Sequence, residues 1–77
     1  MGTTAGAAEN SARDQAAALL ASGRTAEAVA AAEAALREDE GVHGAEDPET
    51  ARTLHVLIEC YNAAGQYARA EPLAERA

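Results

Sequence analysis

Apolar residues in the second half of the chain fall at Leu54, Leu57, Ile58 and Tyr61. This is the i, i+3, i+4, i+7 spacing that lines one side of an α-helix. Thr53, Val56, Cys60 and Ala63 mark a second stripe on a different side. A helix with two such sides has to be covered by two neighbours, its own hairpin partner and an adjacent hairpin. The remaining arc, about 80° wide at the helical period, carries Arg52, His55, Glu59, Asn62 and Gln66. Asp47-Pro48-Glu49 marks where this helix begins: an Asp cap, a Pro where no N–H is needed, and acid in the first turn. The pattern predicts a helix from Pro48 to Ala64, a stop at Gly65 and a following helix from Tyr67 to Ala77.

The first half repeats the plan more faintly. Asn10 or Ser11 can cap a helix running to Ser22, and Gly23 supplies its stop. Thr25 then caps a second helix from Ala26 to about Glu40, with Val29, Ala32 and Leu36 on one side. Glu33 and Arg37 are spaced for an i,i+4 ion pair on the other. Displacing the chain on itself by 42 positions lays LASGRTAEAVAAAEAA, from Leu20, on NAAGQYARAEPLAERA, from Asn62, and matches Gly23 to Gly65. One helix–Gly–helix unit used twice predicts an all-α fold, two antiparallel helical hairpins (four helices) stacked as a short α-solenoid. Residues 1–9 are expected to be a disordered tail, 10–40 a degenerate first hairpin, 41–47 an acidic glycine-containing linker, and 48–77 a second hairpin. That second hairpin is expected to be cut short, since the counterpart of Leu36 would fall just past Ala77. Pro72 lies inside the last helix and removes the N–H that would meet the Ala68 carbonyl, close enough to the helix start to limit the loss.

Composition sharpens this picture. Apolar residues make up 48% of the chain, but 23 of them are alanine, and Phe and Trp are absent. Alanine favours helix and buries little area, so local structure is strong and the core thin. A domain of this size draws only ~3–5 kcal/mol of net stability from one core. The net charge of −7, with six Arg and no Lys, argues against nucleic acid and anionic membrane as partners, since both require a cationic surface. No apolar run approaches the length of a bilayer span, and the first residues lack the basic and apolar regions of a secretory signal. A single cysteine cannot form an internal disulfide, which fits a reducing cytosol, and the expected location is cytoplasmic.

The stretch ETARTLHVLIECYNAAGQYARAEPLAERA resembles the tetratricopeptide repeat, in the longer-period variety found in kinesin light chains and many bacterial proteins. The matching positions are Thr50-Ala51, Thr53-Leu54, Leu57, Tyr61, Gly65, Tyr67, Ala70-Glu71, Leu73 and Arg76-Ala77. Ile58 stands where the family prefers a small residue and Ala74 where it often has an aromatic one. The resemblance implies a non-catalytic protein–protein interaction module that holds a peptide or protein segment in a concave groove. Its groove face would comprise Arg52, His55, Glu59 and Asn62, with Asn10, Arg13, Ala17 and Leu20 at the corresponding positions of the first helix. Arg13 or Arg52 would meet a carboxylate.

The alternative expectation is a self-associating, dimeric helical protein, or a fragment of a larger bacterial repeat regulator. Pro72 and Leu73 would then form the sticky edge. No enzyme site, cofactor or metal is expected. Cys60 lies in an apolar stripe that disfavours its thiolate. It also points about 100° away from Glu59 on the helix, which weakens a metal site shared with His55 and Glu59. The six carboxylates between Glu38 and Glu49 lack the spacing of a calcium loop.

Overall fold

Two helical hairpins pack side by side. The computed structural model describes residues 12–76 and contains α1 (Ala12–Ala21), α2 (Thr25–Val42), α3 (Pro48–Ala63) and α4 (Tyr67–Arg76). Among the described residues there is no strand, and no helix is long and apolar enough to cross a membrane. The expected tail, the capping positions Asn10 and Ser11, and Ala77 lie outside the described residues.

The internal repeat is written into the backbone as well as the sequence. Gly23 has φ +83° and Gly65 has φ +77°, the left-handed conformation that costs glycine nothing. At the first turn the Arg24 N–H donates to the Leu19 carbonyl at 2.9 Å and Gly23 N–H to Leu20 at 3.1 Å. At the second, Gln66 N–H donates to Tyr61 at 2.8 Å and Gly65 N–H to Asn62 at 3.1 Å. Each turn is therefore the same glycine-terminated helix end, with the last carbonyls satisfied in the same way.

Three expectations shift by small amounts. Thr25 is not the cap of α2; Arg24 is, with no side-chain hydrogen bond, and Thr25 is already helical. The glycine turn delivers the chain in register, and the Arg24 carbonyl accepts from Ala28 N–H at 2.9 Å. At its other end α2 runs on through Gly41 to Val42. His43 N–H then reaches the Asp39 carbonyl at 2.7 Å and Gly44 N–H the Glu40 carbonyl at 3.1 Å. The connection between hairpins is thus shorter than the glycines suggest, because a glycine near a helix end is tolerated where the carbonyls behind it are met. Glu33 makes no pair with Arg37. It accepts from the Tyr61 hydroxyl on α3 and stands 4.0 Å from Arg69 on α4. The α3 cap is as expected: Asp47 Oδ1 accepts from Glu49 N–H at 2.8 Å, with Pro48 opening the helix.

Packing follows from the small residues. Ala16, Ala28, Ala32 and Cys60 are fully buried, so backbones approach where larger side chains would hold them apart. Leu36, Leu54, Leu57 and Tyr61 supply most of the buried volume around them. α1 packs on α2, α2 on α3 and α3 on α4, while α1 also touches α3. Of the two stripes expected on α3, Ile58 is half-buried and Ala63 exposed. Thr53 is buried as its stripe expects, and Thr50, outside both stripes, is buried as well. Their hydroxyls do not go unmet: Thr50 donates to the Gly44 carbonyl at 2.7 Å and Thr53 to the Asp39 carboxylate. The first bond fastens the inter-hairpin turn to α3, and the second ties the last turns of α2 to it. α4 is held to α2 by Arg76 to Glu40 at 2.6 Å, and it remains helical through Pro72.

Candidate functional site

On α3 the buried arc takes up one side, so the residues between its edges must face solvent. Arg52, His55, Glu59 and Asn62 are all exposed along that side. From Arg52 to Asn62 the line measures about 15 Å at the helical rise, a length spanned by about four or five extended residues. On α1, Ala17 is exposed and Leu20 half-buried. Asn10, the remaining expected member, lies outside the described residues.

Arg13 joins this face from α1. Its Nη1 donates to Glu49 Oε1 at 2.8 Å and to the Glu49 carbonyl at 3.3 Å. Arg52 Nη1 donates to the other carboxylate oxygen, Oε2, at 3.4 Å. One carboxylate therefore sits between the two guanidiniums expected to meet a ligand. The hydrogen bond from Arg13 holds the Glu49 carboxyl below its ordinary value, against an opposing effect of desolvation. Sequence reasoning placed Glu49 only as acid in the first turn of α3. Nothing in the spacing announces a bond to a residue 36 positions earlier, although a first-turn carboxylate beside a predicted basic face was the available signal.

A groove of about 550 Å³ runs between α2 and α4, with Leu36, Leu57, Tyr61, Ala68, Pro72 and Leu73 in its walls and floor and Glu33, Arg37 and Arg69 at its rim. Pro72 and Leu73 are thus parts of a groove shared with Leu36. Burial raises the Tyr61 hydroxyl above its ordinary value, and the hydrogen bond to Glu33 adds to this.

Cys60 is fully buried. Desolvation, and secondarily the charge of Glu59, push its thiol up, away from the thiolate that nucleophilic chemistry requires. Among the described residues, no group of three or more His, Cys, Asp and Glu side chains is placed to hold a metal ion.

A family model described as Tetratricopeptide repeat matches residues 7–77. No curated protein and no solved structure matches the chain.

Proposed function

Because the chain belongs to the tetratricopeptide repeat family, a family of protein-interaction modules that are generally non-catalytic scaffolds, we propose that it works by holding a segment of another protein on the face shared by α1 and α3. The observation that carries this reading is the Arg13–Glu49–Arg52 arrangement. Two guanidiniums from different hairpins converge on one carboxylate at 2.8 and 3.4 Å, a geometry equally suited to a carboxylate brought by a ligand. His55, Glu59 and Asn62 extend the same exposed line with mixed donors and acceptors. An acidic side chain or free C-terminal carboxylate would anchor at the Arg pair, and the rest of an extended segment would follow α3.

The test starts from a peptide display selection on the immobilised chain, followed by affinity measurement on the selected peptides. Arg52→Ala and Asn62→Ala are expected to weaken binding, by about tenfold for the arginine if a charge-assisted hydrogen bond is lost. Both variants should keep the full helical signal, since both side chains are exposed. Selected peptides that bind the two variants as tightly as the parent chain would mean that this face is not the site.

A further inference from the structure

The groove between α2 and α4 has an unusual electrostatic character for this chain. The protein carries a net charge of −7, yet the groove rim holds Arg37 and Arg69 against Glu33 alone. Glu33 is already engaged by the Tyr61 hydroxyl and stands 4.0 Å from Arg69. Arg37 is exposed and enters no ion pair among the described residues. Between the two guanidiniums the slot is apolar, with Leu36, Leu57 and Leu73 along it. Pro72 has no N–H to offer the Ala68 carbonyl, and both residues line the slot.

The complementary surface lies on the same chain. Among the described residues, Val42 is one of two large apolar side chains that are strongly exposed, at 72%, and it occupies the last position of α2. Glu38 stands one turn before it on the same face of the helix, and Glu46 follows in the turn; both are exposed. The other acids of this segment are engaged: Asp39 with Thr53, Glu40 with Arg76, and Asp47 with the Glu49 N–H. What remains free is an aliphatic knob flanked by two carboxylates, against an apolar slot flanked by the unpaired Arg37 and by Arg69, which Glu33 holds only at 4.0 Å.

We propose that this groove receives the acidic turn of a second copy of the chain, with Val42 entering the slot and Glu38 and Glu46 meeting Arg37 and Arg69. The association is independent of the peptide face on α1 and α3. Each copy carries both knob and slot, so the contact either closes as a symmetric pair or continues from copy to copy.

Mass in solution by light scattering, over a concentration series of the full chain with the helical signal recorded alongside, tests it. The parent chain should grow in mass with concentration. Arg37→Glu and Glu38→Arg, both on exposed positions, should each weaken association by at least about tenfold without loss of helix. An equimolar mixture of the two should associate again, because the reversed knob of one meets the reversed slot of the other. A parent chain that stays monomeric at all concentrations overturns the proposal. So does association that neither variant affects, or a mixture that fails to recover it.

Discussion

Single methyl groups placed at three glycines test the backbone reading with opposite signs. Gly23 and Gly65 lie at φ +83° and +77°, whereas Gly41 sits inside α2 without positive φ, and a Cβ at any of the three meets nothing within 4 Å. Sterics with neighbours therefore drop out, and only backbone preference is left. An alanine forced into the left-handed region costs roughly 1–2 kcal/mol, partly offset by about 0.4–1 kcal/mol from the stiffer unfolded chain. Gly23→Ala and Gly65→Ala should each lose about 1 kcal/mol, or ~4–8 °C in Tm for a domain of this size. Gly41→Ala should gain about 0.5 kcal/mol, less than the full interior value because it lies one residue from the helix end. Its Tm should rise by ~2–4 °C. The two losses occur in separate turns and should add, removing a large part of a total near ~3–5 kcal/mol. Thermal and urea melts followed by helical circular dichroism read all of this. A Gly41→Ala variant that falls in stability as Gly65→Ala does would mean that the chain turns at 41 and that α2 ends before it.

Other perturbations probe the contacts between helices. Tyr61→Phe removes the hydroxyl that donates to Glu33; since that carboxylate keeps access to water, the cost should be about 1 kcal/mol, read as a shifted urea midpoint with unchanged m-value. Glu49 has a lowered folded pKa, so its contribution is complete above the unfolded value near 4.5 and is lost as pH falls through the lower folded value. Glu49→Gln should therefore flatten the acid limb of the stability–pH curve, and an unchanged limb would show that the Arg13 bond does not persist in solution. Cys60 is buried with a raised pKa, so alkylation at neutral pH should be slow and should accelerate along the urea unfolding curve. Rapid labelling of the native chain would contradict the packing of α3.

Much of the architecture could be read from local chemistry. The Asp47 cap with Pro48 behind it and the glycine stops at 23 and 65 are decided by residues adjacent in the chain, and each does in the structure what its type suggests. The stripe of Leu54, Leu57 and Tyr61 is likewise a matter of period. What escaped the sequence depends on partners far away in it. Glu33 had an i,i+4 neighbour in Arg37 but finds the Tyr61 hydroxyl, because the packing of α2 on α3 offers a donor next to the core. Thr50 shares the period of Leu54 and Leu57, but its bond to the Gly44 carbonyl depends on the inter-hairpin turn being brought over it. Gly41 looks like a breaker by type, yet only its φ decides, and that angle is helical. On the candidate site, the exposure of Arg52, His55, Glu59 and Asn62 followed from the α3 period alone. The carboxylate of Glu49 between Arg13 and Arg52 did not, since it requires α1 to lie alongside the start of α3. Pro72 and Leu73 were expected as an edge; the groove they share with Leu36 depends on how α4 leans on α2.

The central claim is that the α1–α3 face receives a segment of another protein, and amide chemical-shift mapping tests it most directly. A selected peptide carrying a free carboxylate is titrated into the isotopically labelled chain. The account predicts that the largest shifts fall at Arg13, Glu49, Arg52, His55, Glu59 and Asn62, with the Arg side-chain signals moving as Glu49 is displaced. Shifts concentrated instead at Leu36, Ala68 and Leu73, with the α3 face silent, would contradict it.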